Sequence, residues 1–416
     1  MDKSENLLTF FLQQSDKIID QTITHIGLTS ISIIIACFIG LPLGISILRN
    51  KRLASMVLGV VGIFQTIPSI ALLGFLIPLL GIGPIPAVTA LFLYALLPIV
   101  RNTYTGIIGI DTSIIEAAQA LGMTDRQILV RVQLPLALPV IMAGIRTAAI
   151  INVGVATLAA YIAAGGLGEF IFGGIALNNT NMILAGALPA AGLAILFDYG
   201  LSKIQKINIA KLKTGALILG MGLLILSSFY VIKLHDNKLL AGFTPEFMGR
   251  QDGYLGLKEK YGFKIPTVVI SDAVMYKAAF EQDIDLISGY STDGRLKAYD
   301  LITLQDDQEI FPPYYAAPLI RNDILEKYPE LQPAIEMLTG KINDSIMTEL
   351  NYQVDYRKVT PAQVAKEFLE SNGMNFSAKQ NNSGTVRLGS KIFGEQYILA
   401  NIYKILIEGQ TNLKVS

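Results

Sequence analysis

A polar interval between two long apolar runs reads Asp111-Thr-Ser-Ile-Ile-Glu116-Ala117-Ala118-Gln119-Ala120-Leu121-Gly122-Met123. Thr112 or Ser113 is placed to cap a helix, and Glu116 follows Ser113 at the spacing of a capping box. Residues from Glu116 to Leu121 favour a helix. Gly122 is suited to end that helix, because glycine readily adopts a positive φ.

A second short amphipathic helix is expected after the glycine. It runs from about Thr124 to Gln133 and stops before Pro135, since proline disfavours continuation of a helix. The two helices together predict a helix–turn–helix knob, which we call the knob (residues 111–135), between apolar segments.

The sequence around the knob is too apolar for a wholly soluble protein. Only 16% of the 416 residues are charged and 52% are hydrophobic, whereas soluble domains carry roughly a quarter charged residues. A helix that crosses a bilayer needs about 20 mostly apolar residues. The sequence therefore predicts about six transmembrane helices, at residues 25–48, 54–80, 84–100, 136–161, 182–200 and 214–234.

Basic residues mark which loops face the cytoplasm. Lys and Arg cluster at residues 49–52 and 203–213, and Arg101 ends the third apolar run. Cytoplasmic loops are enriched in these residues. The knob is thus expected inside, whereas the N-terminal segment 1–24, which is no signal peptide, and everything after residue 234 are expected outside.

Composition and spacing exclude several other classes. With 33 basic and 33 acidic residues, the chain gives no reason to expect nucleic acid as a partner. Cys37 is the only cysteine, which excludes a disulfide framework and a cysteine-based zinc site. His25 and His235 lack metal-ligand spacing and are predicted to be membrane-edge residues. No nucleophile–base pair or pair of carboxylates indicates an enzyme, so no catalytic or metal site is expected.

Two polar residues interrupt the fourth predicted span. Arg146 and Asn152 are six positions apart and point to roughly similar sides of one helix. Arg146 is expected to reach for the cytoplasmic interface. The alternative is that both residues line a translocation path.

The knob resembles the EAA motif of permease subunits in bacterial ABC importers. The resemblance rests on Glu116, Ala117, Ala118 and Gly122 and on the downstream Leu134-Pro135. It implies that these residues dock on a separate ABC ATPase, which binds ATP and Mg. It also implies a homodimer of the permease in the bacterial plasma membrane, with two ATPase copies. The chain itself has no phosphate-binding loop, because Ser390 precedes Lys391 where Gly-Lys-Ser/Thr is required.

The chain changes character near His235. The remaining 182 residues hold 19 of the basic and 24 of the acidic residues, spread evenly as on a water-exposed surface. Alternating patterns predict a βαβ arrangement. Strands are expected at 265–270, 284–288 and 301–304, with helices at 272–282, 321–338, 341–351 and 361–371.

This second half resembles the substrate-binding proteins of importers for glycine betaine, carnitine and choline, the quaternary-ammonium or osmoprotectant group. The resemblance rests on Phe247–Tyr254, Ile287–Gly294, Asp306–Pro318 and Leu388–Gln396. It implies an all-α polytopic membrane domain of the ABC importer permease type followed by an α/β domain like a type II periplasmic binding protein. The fourth segment resembles that family's opening strand, turn and helix.

The order of these segments departs from the family. There the Gly-Ser-Lys segment comes directly after the last membrane helix, but here it comes last, so the arrangement is permuted and truncated. The predicted domains are an N-terminal segment at 1–24, a permease domain at 25–213, a tethering helix at 214–234, a binding domain of mostly the second lobe at 235–376, a linker at 377–384 and an opening segment at 385–416.

A quaternary ammonium ligand is held by aromatic faces, each cation–π contact contributing about 0.5–2 kcal/mol. By resemblance, Tyr290 and Tyr314 match positions that form walls of such a cage. The following residues Ser291, Thr292 and Asp293 are expected to contact the ligand or position the strand end. From the opening segment, Ser390 and Gln396 are expected to contact a carboxylate.

The resemblance implies that the chain is the permease subunit, with a fused extracellular binding domain, of an importer for a quaternary ammonium compound. Glycine betaine, carnitine and choline share the trimethylammonium group, so the sequence does not choose among them. The alternatives are an importer of ergothioneine, a thiol-bearing betaine, and a membrane sensor that does not transport.

Overall fold

The computed structural model describes residues 6–205, 239–376, 383–391 and 393–416. The chain forms two compact units, one running to Ile287 and the other from Ser288 to Ser416. Each unit buries its own apolar clusters.

The first unit begins with apolar helices. Four of the described helical stretches are long and apolar enough to cross a bilayer, and a bent pair adds a fifth if it counts as one span. The elements are α1 Leu7–Gln13, α2 Ser15–Ser46, α3 Lys51–Thr66, α4 Ser69–Leu80, α5 Pro84–Ile108, α6 Thr112–Ala120, α7 Asp125–Ile128, a π-helical turn Leu129–Gln133, α8 Leu134–Ala156, a 3₁₀ turn Thr157–Tyr161, α9 Gly168–Ala176 and α10 Thr180–Gln205.

Four predicted spans are confirmed as single continuous helical stretches. The first starts at Ser15, so much of the expected N-terminal segment 1–24 is helical. The fourth begins as early as Asp125, because α7, the π-helical turn and α8 follow one another without a break. The sixth predicted span, 214–234, lies outside the described residues.

The second predicted span, 54–80, is not one straight helix. α3 and α4 meet at 98°, because Ile67 is extended (ψ 128°) and a residue that precedes proline disfavours the helical region. Tyr94 on α5 supports the break: its hydroxyl donates to the Ile67 carbonyl, and its own carbonyl accepts from Gln65 Nε2 at 2.9 Å. Neighbouring groups thus satisfy the backbone that Pro68 frees.

Helices α2, α5 and α8 approach closely through glycines. A Cβ on Gly44 would lie 2.7 Å from the Cβ of Thr103, and one on Gly144 would lie 2.6 Å from the Cβ of Asn102. Small residues permit such backbone contact in membrane bundles. At these two positions a larger residue would push the helices apart.

A parallel three-stranded sheet occupies residues 241–287, which we call the sheet lobe. β1 Ala241–Phe243 lies between β2 Thr267–Val269 and β3 Leu286–Ile287, and the lobe's helices are α11 Pro245–Met248, α12 Tyr254–Lys260 and α13 Asp272–Phe280. The predicted strands at 265–270 and 284–288 are confirmed. β1 was not predicted, because Gly242 interrupts its pattern. The glycine is required there, since a Cβ would lie 2.6 Å from Ile284 Cδ1.

The second unit is mostly helical. It contains α14 Gly294–Ala298, α15 Asn322–Lys327, α16 Leu331–Glu336, α17 Asp344–Asp355, α18 Pro361–Ser371, β4 Gly384–Val386, α19 Gly394–Gln410 and β5 Leu413–Val415. β4 pairs in parallel with β5, so the strand, turn and helix expected near Leu388–Gln396 are present. Residues 377–382 of the expected linker lie outside the described residues.

Two predictions for this unit are wrong. The helix expected at 321–338 divides into α15 and α16, because Tyr328 precedes Pro329 and leaves the helical region,. The strand expected at 301–304 does not form within the described residues of this unit. Ile302 is 85% exposed, and residues 301–304 pair with no strand among the described residues. High β propensity alone does not form a strand without such a partner.

The unit boundary also differs from the predicted division. Residues 385–416 were assigned to a segment of their own, but α19 packs with α17 and α18 through Ile402, Leu350 and Phe368 in one buried cluster. The boundary between the two compact units, at Ile287, lies inside the expected binding domain at 235–376.

Candidate functional site

The first helix of the knob is capped by Asp111, one residue earlier than expected. Its carboxylate accepts from the Ser113 N–H at 3.0 Å, and the bonds from Ser113 hold the pKa of Asp111 below its ordinary value. The predicted capping box of Ser113 and Glu116 is therefore wrong. A true capping box joins Thr124 and Gln127 at the start of α7.

Gly122 ends the first knob helix as predicted. Its φ is +77°, and the Met123 N–H donates to the Ala118 carbonyl at 3.2 Å, which closes the turn. A Cβ at this position would meet nothing within 4 Å. Glycine is therefore needed for its backbone conformation rather than for space.

The knob presents a surface that its own unit leaves uncovered. Glu116 and Ala117 are exposed, and Leu121 is 83% exposed, whereas Ala118 is buried against the chain. Arg49, at the end of the first span, pairs with Asp125 at 2.8 Å. Glu116, Ala117 and Leu121 thus leave a charged, a small and an apolar side chain exposed on the knob.

Arg146 has a partner that neither sequence interpretation included. Its Nε donates to Asp198 Oδ1 on α10 at 2.8 Å, so the pair joins α8 to α10. Asn152 is fully buried and donates to Ser32 Oγ on α2 at 2.9 Å. These two hydrogen bonds join α8 to α10 and to α2.

His25, predicted as a membrane-edge residue, is held inside its own unit. The side chain is fully buried, where Nδ1 accepts from the Leu167 N–H at 3.3 Å and Nε2 faces the Val153 carbonyl at 2.9 Å. Because one nitrogen accepts, the other must carry the proton and donate. His235 lies outside the described residues.

The predicted cage tyrosines lie on the surface of the second unit. Tyr290 is 65% exposed and Tyr314 is 57% exposed. Neighbouring Tyr315 is 89% exposed. More than half of the surface of each of these three residues is exposed.

The three polar residues after Tyr290 already have protein partners. Ser291 Oγ donates to Asp344 at 2.8 Å, and Thr292 Oγ1 donates to Glu395 at 2.7 Å. Asp293 caps α14 by accepting from the Arg295 N–H at 2.9 Å. These hydrogen bonds engage all three side chains within the second unit.

Glu395 is a residue that sequence reasoning missed. Its carboxylate accepts from Thr292 and, at 3.0 Å, from Asn351 Nδ2. It thus joins the segment after Tyr290 to the start of α19. Of the two ligand contacts predicted near Glu395, Ser390 is exposed and Gln396 is half-buried. An acidic residue in the first turn of a helix was the available signal.

Two protein-family models match the chain. The inner membrane component of binding-protein-dependent transport systems matches residues 32–239, and the substrate binding domain of ABC-type glycine betaine transport systems matches residues 226–371. The opening segment at 385–416 lies outside both matches.

Several curated proteins are similar over the membrane half. The carnitine transport permease protein OpuCB of Listeria monocytogenes is 44% identical over 199 residues, which are 48% of this chain and 91% of that protein. The glycine betaine/carnitine/choline transport system permease protein OpuCB of Bacillus subtilis is 43% identical over 48% of this chain and 92% of that protein. A crystal structure of a glycine betaine/carnitine/choline ABC transporter is 42% identical over 34% of this chain and 52% of that chain, with a TM-score of 0.31.

These relatives are permease proteins rather than enzymes, and their ATPase is a separate protein. The same similarity identifies the chain as a multi-pass protein of the bacterial plasma membrane that works with an ATPase and a small-molecule substrate. The chain therefore belongs to the family of inner membrane components of binding-protein-dependent transport systems, and it carries a substrate binding domain of the glycine betaine type.

Proposed function

We propose that this chain is the permease subunit, with a fused binding domain, of an ATP-driven importer for glycine betaine, carnitine or choline. One observation carries the proposal: the permease match at 32–239 and the glycine betaine binding-domain match at 226–371 occur in one polypeptide. The named substrates of the similar permeases include carnitine, choline and glycine betaine. All three contain a trimethylammonium group, and the choice among them stays open.

The proposed assembly is a permease homodimer with two ATPase subunits that bind ATP and Mg. Its support is the knob, where Glu116, Ala117 and Leu121 are all exposed. Glu116, Ala117, Ala118 and Gly122 are the proposed coupling residues.

The proposed orientation has the knob inside the cell and the binding domain outside it. Its support is the placement of basic residues at 49–52 and 203–213, which are enriched in cytoplasmic loops. Protease added to intact cells should remove the region after residue 235. Protection of that region would contradict the orientation.

The proposed ligand contacts are the faces of Tyr290 and Tyr314. Their exposure leaves room for a trimethylammonium group, and tyrosine faces attract cations. The comparisons give no support to the ergothioneine importer or to the non-transporting sensor.

The function is tested by uptake of labelled glycine betaine, carnitine and choline. The chain is expressed with its ATPase in cells that lack their own betaine uptake. We expect uptake of at least one of the three to depend on both proteins and to be inhibited by the unlabelled solute. Absence of uptake for all three, with both proteins present in the membrane, would contradict the proposal.

A further inference from the structure

The loop between the fourth and fifth spans joins two parts of the first unit. We call residues 161–169 the rim loop. On one side the rim loop contacts the first span, and on the other it pairs with the sheet lobe. A loop held on both sides in this way is placed to serve as an interface rather than as a simple connection.

Side chains of α2 fix one side of the rim loop. Gln21 Oε1 accepts from the Gly166 N–H at 2.6 Å, and His25 accepts from the Leu167 N–H. Gly165 and Gly166 have φ of +73° and +93°, and a Cβ on Gly166 would lie 3.2 Å from His25 Nδ1. The close approach to α2 therefore requires this pair of glycines.

The other side of the rim loop makes main-chain pairs with the sheet lobe. Ile162 and Ile270 form an antiparallel bridge, and the Ser271 N–H donates to the Tyr161 carbonyl at 3.0 Å. Both isoleucines are buried, at 3% and 0% exposure. The contact thus excludes water, and the backbone of the rim loop pairs with the residue that follows β2,.

Two further contacts surround the bridge. The Ile82 N–H donates to the Asp283 carboxylate, and the Leu177 side chain occupies the space where a Cβ on Gly249 would lie. Main-chain pairing alone selects no particular sequence. The Leu177 side chain against Gly249 and the hydrogen bond from Ile82 to the Asp283 carboxylate supply this specificity.

Glu169 connects the two sides. Its carboxylate is 5% exposed, lies 3.4 Å from Lys17 Nζ, and accepts bonds from Gln21 on α2 and from the Val269 N–H of the sheet lobe. Leaving a buried carboxylate or a buried N–H without its partner is costly. One side chain therefore depends on both the first span and the lobe being in place.

We propose that the rim loop is the permease's own receptor for the sheet lobe, and that Glu169 is the positioning residue that holds the lobe against the first span. The occupant of this surface is residues 241–287 of the same chain. Because the lobe is covalently attached, its effective concentration is high and a small interface suffices. The inference does not depend on which ligand is transported.

The test is disulfide trapping in the full-length chain in membranes. Ile162→Cys and Ile270→Cys are combined in a Cys37→Ser background, with a protease site inserted after His235 so that only a cross-link keeps the two fragments together. Bridge partners have Cα atoms about 4.5–5.5 Å apart, which a disulfide spans. The control pairs Ile162→Cys with Thr267→Cys, about 10 Å further along the strand.

We expect the Ile162/Ile270 pair to cross-link much faster than the control pair. Equal cross-linking rates for the two pairs would contradict the proposal that the rim loop is the receptor for the sheet lobe. Adding Glu169→Ala should slow the cross-link roughly tenfold, because the Val269 N–H loses a charged acceptor. Glu169→Gln keeps an acceptor oxygen and should restore most of the rate.

A merely structural role for Glu169 is distinguished by two further measurements. The amount of protein in the membrane and the affinity of the chain for ligand should not change in either variant. If Glu169→Ala fails to reach the membrane, Glu169→Asp keeps the charge near Lys17 but shortens the reach to Val269, and it should slow the cross-link. An unchanged rate in Glu169→Asp or Glu169→Ala would overturn the role of Glu169.

Discussion

The knob and the segment after Tyr290 both carry residues named from sequence, but the structure uses them in opposite ways. In the knob, Glu116 and Ala117 face outward, where another protein can contact them. In the segment 291–293, the polar side chains are engaged by their own unit, at Asp344, Glu395 and Arg295. Tyr290, directly before that segment, is exposed.

This difference shows what a local pattern can predict. The knob is built from a cap, a short helix and a glycine turn, and each depends on neighbours within a few residues. The segment after Tyr290 depends on Glu395, which is about a hundred positions away. A motif can therefore identify such residues without indicating what they contact.

The largest expected effect comes from Gly122→Val. A β-branched residue is strained at φ +77°, at a cost of about 1–2 kcal/mol, so the knob should tilt or unwind its turn. ATP-driven uptake should fall more than about tenfold, measured in cells that also express the ATPase. Ligand binding by the same chain should be unchanged.

Gly122→Asn is the matched control, because asparagine tolerates the left-handed conformation. It should retain most of the uptake. Normal uptake by Gly122→Val would remove the main argument that the knob drives coupling.

The second effect concerns Glu395. Glu395→Ala leaves Thr292 and the buried Asn351 without their shared acceptor, which should cost about 1–3 kcal/mol of unfolding free energy. The loss is measured by thermal unfolding of the full-length chain, and ligand affinity should fall as well because Tyr290 is no longer held. Glu395→Gln keeps one acceptor oxygen and should lose less unfolding free energy than Glu395→Ala. An Ala variant as stable as the parent would show that the carboxylate does not position this segment.

A smaller effect tests whether Tyr290 and Tyr314 bind the cation or merely fill space. Tyr290→Leu and Tyr314→Leu remove the aromatic face and should each weaken binding by about 0.5–2 kcal/mol, measured by calorimetric titration. Tyr→Phe at the same positions keeps the face and should change little. A neutral analogue with tert-butyl in place of trimethylammonium should bind poorly and respond little to the Leu change. Equal sensitivity of the charged and neutral ligands would contradict the cage.

The smallest effect is expected for Arg49→Ala. Its ion pair with Asp125 is largely exposed, at 83% and 77% for the two side chains, and exposed pairs contribute little. Uptake should stay within about twofold of the parent. A large loss would mean that the knob is held by this pair rather than by its helix turns.

Sequence predicted the helical spans well because apolar length is a local property. The sequence predicts 54–80 as one span, whereas the structure bends it by 98° next to Pro68. The partners that satisfy the break and the buried polar groups, such as Tyr94 and Asp198, lie 27 and 52 positions away. Sequence spacing alone does not reveal those pairs.

The candidate site shows the same limit. The turn at Gly122 follows from glycine chemistry, but Asp111 replaced the expected cap because three neighbouring residues are all good caps,. β1 was missed because Gly242 is chosen for close packing against Ile284. At Asp111 a competing local hydrogen bond determines the helix start, and at Gly242 a tertiary contact determines the residue type. The local sequence pattern indicates neither.

The most direct test of the account measures ATP hydrolysis by the assembled transporter in lipid nanodiscs while trimethylammonium solutes are added. Ligand capture by the binding domain and transmission through the knob must both work for hydrolysis to respond. We expect saturable stimulation by at least one of glycine betaine, carnitine and choline in the parent chain, and none in Gly122→Val despite equal ligand binding. Stimulation that is the same in both chains, or a parent that binds ligand without any response, would contradict the account.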